Sequence, residues 1–447
     1  MIGHLLRAGS ITLGMKFIGV GLLLIATLVM TRVLGPEQYG IYVLAFAVIG
    51  MLSEPPFVAL RTLGVRYGAI HLAADDGSRL LGLLHWLRRI ALGLALAAAG
   101  IILAGVWLAG DRFHHLIVPT ALIGAMLPLS LGYNRVSDGV LRADGALLAG
   151  QAPKLILRPL LLLSYLLIMV SVVGDGLDAA WVMAAQVAAA ATVSLLYAGL
   201  IKRRFGPRFR SSSAISPAIR WRTETLPLMT TTLIEIVNVR LALIMVGVMT
   251  SPAEAGSFQL ALRIAELIAL VAASANLVIE PRIAREMTTG SRQDAQRTMT
   301  LAARLTFVAM VPIGLAVISF GASLLSLFGE GFTDAAAALT VLVIWQALSV
   351  ALGSVTPVLN ITGLSRIAAT GSVIRVAVTI LLCFVLIPDT GAQGAAWAVL
   401  GASILSKLWL MRAVHKHLGL YTTIFGVWVR PVRWRALWKS RIAGARR

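Results

Sequence analysis

Twelve apolar runs, each of roughly 20 residues or more, occupy most of this 447-residue chain, at 10–34, 38–60, 84–109, 113–133, 153–173, 178–200, 226–249, 254–279, 302–328, 334–360, 364–388 and 391–411. Hydrophobic residues make up 58% of the sequence and charged residues 13%. The charged share is about half that of a soluble domain, too little to clothe a water-facing surface. Hydrocarbon must be the solvent, and there every backbone N–H and C=O has to be paired internally. Runs of this length satisfy that demand as helices, which predicts an all-α integral membrane protein. The first run is too long for a cleaved signal peptide, and no small-x-small site precedes a soluble domain.

The connections fix an orientation. With the amino terminus inside, the inner segments collect Arg61, Arg66, Arg79, Arg88 and Arg89, then Arg135, Arg142, Lys154 and Arg158, then the run from Lys202 to Arg222. Further inner segments hold five arginines from Arg282 to Arg304, then Arg366 and Arg375, and a basic tail from Arg412 onward. The outer loops carry only Arg32 and Arg112 among acids such as Glu37, Asp111, Asp178, Glu254, Glu330 and Asp389. This alternation predicts an even helix number and both termini in the cytoplasm. The net charge of +20 is then mostly topology, and it argues against nucleic acid as a partner. The basic loop 201–223 and the tail, where Trp428, Trp434 and Trp438 sit among arginines, are expected to meet anionic lipids at the cytoplasmic face.

The chain also repeats itself. Pro36-x-x-x-Gly40-x-Tyr42-x-x-Ala45 returns as Pro252-x-x-x-Gly256-x-Phe258-x-x-Ala261, and Ala179-Ala180-Trp181 returns as Ala395-Ala396-Trp397. Both pairs lie 216 positions apart. A duplicated set of spans predicts two pseudo-symmetric six-helix bundles, with a substrate site between them and rocking of one against the other. The expected domains are 1–200, a basic linker 201–223, a second bundle 224–417 and a tail 418–447. Within the motif, Gly35-Pro36 ends one helix and starts the next, while Gly40 and Ala45 allow close helix approach.

Several chemistries find no residues to carry them. The lone Cys383 permits no intrachain disulfide and no cysteine metal site. There is no Gly-x-x-x-x-Gly-Lys loop and no His-Glu-x-x-His stretch, and His114-His115 reads as an interfacial pair. The outer loops are short. No catalytic residue, metal or cofactor is expected, and the chain reads as a transporter rather than an enzyme.

The stretch Thr31-Arg32-Val33-Leu34-Gly35-Pro36-Glu37-Gln38-Tyr39-Gly40-Ile41-Tyr42 resembles the signature joining the first two helices of polysaccharide-export flippases. These belong to the multidrug/oligosaccharidyl-lipid/polysaccharide exporter superfamily. Leu60 to Tyr67, Ser251 to Glu266 and Pro281 are similar to further family stretches. The resemblance implies a carrier of a lipid bearing a diphosphate and a sugar chain, and a central cavity lined by helices one, two, seven and eight. One departure stands out: relatives often carry an acid in mid-helix seven, where this chain reads Asn238-Val239-Arg240.

An ionisable side chain near the bilayer midplane costs at least about 2.5–3.5 kcal/mol and needs a reason. On the helices the resemblance assigns to the cavity, Arg240, Arg263 and Glu266 lie near the middle, Glu235 in the inner half of helix seven, and Lys16 and Glu54 nearer the cytoplasmic ends of helices one and two. Arginine suits a diphosphate through its forked geometry, so Arg240, Arg263 and Lys16 are candidate headgroup ligands, with Asn238 and Gln259 for sugar hydroxyls. Glu235, Glu266 and Glu54 are candidates for ion coupling. Structural uses stand beside these: an intrahelical Arg263–Glu266 pair, a Glu235–Arg240 pair, a Lys16 that reaches the interface, and amides that bond neighbouring helices. Lys407 is expected to snorkel.

The expected function is translocation of a polyprenyl-diphosphate-linked oligosaccharide across a bacterial inner membrane, with glycan polymerase or glycosyltransferases as partners. The alternatives are an ion-coupled multidrug exporter of the same fold, a membrane polymerase of glycan assembly, and a scaffold that recruits glycan enzymes.

Overall fold

The computed structural model describes residues 2–109, 117–209, 219–288 and 292–426. His114-His115, Arg112, the middle of the basic linker and the tryptophans of the tail lie outside the described residues. Helix dominates, as the solvent requires. The first helical stretch, Ile2–Ala73, has 72 residues. At about 1.5 Å per residue it would be more than three times a ~30 Å hydrocarbon core. It breaks at Gly35, whose φ of 68° is open to glycine at little cost, giving α1 (2–34) and α2 (36–73). There follow α3 Gly77–Ala109, α4 Leu127–Ala143 after a short turn of helix at Ile117–Gly124, and α5 Arg158–Val173 after Leu147–Ala152 and a π-turn at Pro153–Leu157. Next come α6 Ala179–Phe209, α7 Ile219–Met249, α8 Pro252–Thr288, α9 Arg292–Ser319 and α10 Ala336–Ala351. The last stretch, Ser365–Leu418, breaks at Gly391 (φ 54°) into α11 (365–390) and α12 (392–418).

Among the described residues, eight stretches are long and apolar enough to cross a membrane, or nine with the bent α7. Two of those stretches are helix pairs broken at Gly35 and Gly391, and α8 adds 37 residues. The set is consistent with the twelve expected spans. The chain is an all-α, multi-pass membrane protein.

The residues cluster into two compact units. The first comprises Met1–Leu260, Ala322–Ala335 and Ile387–Ala395. Its helices approach through glycine. A Cβ at Gly19 of α1 would overlap the Leu155 carbonyl, one at Gly139 of α4 would lie 2.7 Å from Arg61 O, and one at Gly132 would lie 2.9 Å from the Phe57 ring. The repeat motifs pack on each other within this unit, and they do so reciprocally. Gly40 faces the Pro252 carbonyl so closely that a Cβ would overlap it, and a Cβ at Gly256 would lie 2.6 Å from the Pro36 carbonyl. The small residues therefore bring one motif onto the other, which is more than the local hairpin that the sequence suggested.

The motifs also cap helices in matching ways. Gln38 Oε1 accepts the Ala179 N–H at 3.1 Å, at the start of α6. Its repeat mate Glu254 accepts the Ala392 N–H at 3.0 Å, at the start of α12. Ser251-Pro252-Ala253-Glu254 has the sequence of a capping box. Ser251 Oγ accepts the Glu254 N–H at 3.2 Å, while the Glu254 carboxylate satisfies the helix start at Ala392. Gly391 makes room, since a Cβ there would overlap Glu254 Oε2. The segment Ala322–Ala335 closes over the first motif. Arg32 Nε donates to Leu327 O at 2.7 Å, and Phe332 meets Tyr39 edge-on at 5.9 Å.

The second unit comprises Ala261–Gly321, Ala336–Leu386 and Ala396–Arg447. Its core gathers Ile283, Met299, Val355, Val358, Leu359, Leu410 and Val414. After α12, residues 419–426 turn back as a strap. Gln296 exchanges two hydrogen bonds with the Tyr421 backbone, at 2.6 and 2.7 Å, and Ile424 N–H donates to Ala351 O at 3.0 Å.

Two of the boundaries that differ from the sequence expectation have their cause in the packing. The fourth span runs to Ala143 instead of ending at 133, because polar residues of α4 are buried against protein. Helix α6 continues to Phe209, nine residues into the expected linker, because Ile201 and Phe205 are buried and Arg204 pairs with Asp144. Replacing Gly40 by alanine should cost about 1–3 kcal/mol or more, since the new methyl meets backbone that cannot yield. Replacing Gly199, which has nothing within 4 Å of a built Cβ, should be neutral to slightly stabilising. Thermal melts of the two purified variants check both.

Candidate functional site

Among the described residues of the first unit, half-buried basic side chains gather around two carboxylates, of which Asp138 is buried. Glu54 lies on α2 just before Pro55-Pro56, which lack N–H groups and leave the carbonyls one turn earlier without their usual donors. Its Oε1 accepts from Arg135 Nη2 of α4 at 3.2 Å, with the two side chains 29% and 13% exposed. One turn further, Asp138 Oδ2 lies 3.9 Å from Arg61 Nη1, and the Asp138 side chain is 3% exposed. Asp138 also lies within electrostatic range of Lys154 and Arg142. The π-turn at Pro153–Leu157 inserts an extra residue per turn, and it leads from Lys154 into Arg158. These two line one small cavity with Asn134 and Arg135. Arg158 interacts electrostatically with the motif residue Tyr42 and with Glu54. Its Nε and Nη2 are shielded from solvent with no hydrogen-bond acceptor. Asn134 supports the wall by donating to Ala190 O at 3.1 Å and accepting from Ser194 at 2.9 Å.

Sequence reasoning placed Arg61, Arg135, Arg142, Lys154 and Arg158 in cytoplasmic connections. The structure places them on helices. Their spacing carries the signal that finds them: 135, 138 and 142 share one face of a helix, as do 154 and 158. With Glu54 and Asp138, the group holds five cations and two carboxylates.

The sequence-derived candidates fall in several places. Arg240 is half-buried in the first unit. Its guanidinium lies over the Phe46 ring at 5.4 Å, a cation–π distance, and packs on Gly50, where a Cβ would sit 3.3 Å from it. Phe46 stacks on Tyr42 at 5.9 Å. Helix α7 bends by 50° between Asn238 and Arg240. Asn238 Nδ2 donates to Ile234 O at 2.8 Å, and a side chain that competes for the carbonyl four residues back weakens the helix there. The Asn238-Val239-Arg240 departure thus coincides with a break in the helix. Glu235 is exposed and Gln259 half-buried. Lys16 is half-buried three residues before the Gly19 contact with the π-turn.

Arg263 and Glu266 belong to the second unit and are half-buried. Arg263 Nε is shielded from solvent with no acceptor among the described residues. Lys407, expected to snorkel, instead turns inward and donates to Ser349 O of α10. It lines a cavity of about 240 Å³ with Gln346, Thr306, Thr356 and Thr422. The break after Ala351, at Gly353 (φ 81°), ends α10 beside it. Among the described residues, no group of three His, Cys, Asp or Glu side chains is placed to hold a metal ion.

A family model described as "Polysaccharide biosynthesis protein" matches residues 5–287, more than half of the chain, and the chain belongs to that family. No curated protein matches it. Solved structures match over nearly the whole chain. An inward-facing multidrug resistance MATE family transporter of the MOP superfamily has a TM-score of 0.74 at 17% identity, covering 89% of this chain and 96% of its own. The lipid II flippase MurJ, in an inward closed conformation, has a TM-score of 0.70 at 14% identity, covering 90% and 87%. A MOP superfamily transporter from Pyrococcus furiosus, described as having a binding pocket of reverse polarity, has a TM-score of 0.65 at 15% identity, covering 92% and 95%. The fold is that of a MOP-superfamily membrane transporter.

Removing Asp138 leaves several buried cations with one carboxylate fewer, so Asp138→Ala should destabilise the protein by about 3–5 kcal/mol. Asp138→Asn keeps the volume and loses the charge. A thermal midpoint lowered in both variants assigns the loss to electrostatics, and one lowered only in the alanine variant assigns it to packing.

Proposed function

We propose that this chain is a flippase that moves a polyprenyl-diphosphate-linked oligosaccharide from the cytoplasmic to the outer leaflet of a bacterial inner membrane, for surface or exported polysaccharide. One observation carries the reading: the excess of half-buried basic side chains over carboxylates in the cluster around Asp138, together with Arg240. A cation inside a membrane is costly, and a surplus of five over two favours an anionic cargo over a cationic one. The surplus is mostly arginine, whose planar fork matches phosphate oxygens. Membership of a polysaccharide biosynthesis family supports a glycan-linked lipid over a drug.

In this reading Arg240 holds the diphosphate and is kept in place by Phe46 and Gly50. Arg263 and Lys16 are further cations for the headgroup, and Asn238 and Gln259 are polar groups for sugar. Glu54 keeps Arg135 in position and is one of three acids, with Glu235 and Glu266, assigned to ion coupling. The reading places the expected bundles, 1–200 and 224–417, in alternating access, with both termini cytoplasmic and glycan polymerase or glycosyltransferases as partners downstream or upstream.

Arg240→Ala and Arg263→Ala, singly and together, should leave insertion intact and abolish glycan export in the double variant. Mass spectrometry of membrane lipids should then find the diphosphate-linked oligosaccharide accumulating. Unchanged surface glycan in the double variant rejects the site. Normal lipid intermediates together with new drug sensitivity favour the multidrug exporter.

A further inference from the structure

We propose that the second unit holds one diacyl anionic phospholipid at the arginine-rich end of α8 and α9, as a bound structural lipid distinct from any cargo. On α9, Arg297, Leu301, Arg304, Leu305 and Val308 recur at helical spacing and form one stripe. Leu301, Leu305 and Val308 are 58%, 63% and 67% exposed, so the stripe faces lipid. Arg297 heads this stripe, Arg304 lies within it, and α8 brings a third arginine, Arg282, to the same groove. The three line a groove of about 460 Å³ together with Ile279, Leu301 and Leu305.

The charges leave an anion wanting. Arg282 Nε donates to Glu286 Oε1 at 2.9 Å, and the Thr298 hydroxyl donates to the same oxygen at 3.0 Å. Glu286 therefore offsets one arginine. Arg304 Nε is held by Ile424 O of the strap at 2.6 Å, a neutral partner that leaves the charge in place. Arg297 is exposed, with no ion pair to a described residue. Guanidinium groups at a hydrocarbon boundary fit a lipid phosphate, which accepts from them in forked geometry.

A second groove indicates how many chains the lipid has. On the strap side of Arg304, a cavity of about 260 Å³ is lined by Phe307, Val308, Ile424 and Phe425, all apolar. Two apolar grooves meet at one arginine, and a lipid with two acyl chains fills both. A polyprenyl phosphate has one chain and leaves one groove empty. From Arg297 to Val308 the helix rises about 16 Å, close to the ~15 Å of hydrocarbon in one leaflet. Arg304 and Phe425 join this lipid to the strap, so its binding fastens the end of the described chain to α9.

Native mass spectrometry of the full chain, titrated with phosphatidylglycerol, phosphatidylcholine, lyso-phosphatidylglycerol and undecaprenyl phosphate, tests this. The wild type should hold one phosphatidylglycerol at least about 10-fold more tightly than phosphatidylcholine or the lyso-lipid, since each basic residue near a membrane surface contributes to binding anionic lipid. Arg297→Glu should remove that preference and Arg297→Lys should keep most of it. Phe425→Ser should narrow the gap between the two-chain and one-chain lipids. A preference unmoved by Arg297→Glu overturns the proposal. Undecaprenyl phosphate bound more tightly than phosphatidylglycerol and lost in Arg297→Glu also overturns it and gives the groove to a single-chain lipid, whereas undecaprenyl phosphate that survives Arg297→Glu sits at the cargo site. Thermal melts confirm that each variant is folded, and glycan export is scored separately, so this proposal and the flippase reading can fail independently.

Discussion

The contact between Gly40 and the Pro252 carbonyl, with its mirror between Gly256 and the Pro36 carbonyl, is the constraint around which the first unit is arranged. In hydrocarbon there is little hydrophobic force to press helices together, so close packing and polar contacts must hold them. Removing two side chains lets backbone meet backbone. The same short motifs then supply Gln38 and Glu254 to the starts of α6 and α12, where free N–H groups would otherwise be costly. Chain reversal, helix packing and helix capping thus depend on two copies of about ten residues.

This arrangement sets what lies beneath it. Tyr42 belongs to the first motif and stacks on Phe46 one helical turn later, which in turn carries Arg240. Arg158 interacts with Tyr42 from another helix. The glycine contacts of α1 with the π-turn before α5 and of α2 with α4 bring Glu54, Arg61, Arg135, Asp138, Lys154 and Arg158 together. The carboxylates fix the geometry of some of these basic side chains. The bend of α7 beside Arg240 comes from Asn238 turning back on its own helix, at the position where relatives often carry an acid.

The second unit solves the same problem with different parts. Lys407 satisfies itself on a carbonyl at the end of α10, and the strap fastens α9 and α10 through Gln296, Arg304 and Ile424. Lys407 lines a cavity with Gln346 and Thr306, and Arg282, Arg297 and Arg304 line a groove of α8 and α9. The proposed phospholipid would complete a set of bonds that the chain supplies only in part.

The sequence by itself determined the solvent, the helices and the duplication, because these follow from run length, composition and a fixed offset, all local properties. It also marked Gly35, where only a positive φ lets one helix end as the next begins. The Arg240 position was legible because a charge in the middle of an apolar run stands out. Arg135, Asp138, Lys154 and Arg158 were not, because near the end of an apolar run a buried charge and a solvated one look alike. Lys407 failed for the same reason in the other direction: a long side chain close to a helix end can reach water or turn inward. Only the tertiary structure decides between those outcomes, since burial depends on which distant helix supplies the carboxylate or carbonyl that makes an intramembrane charge affordable.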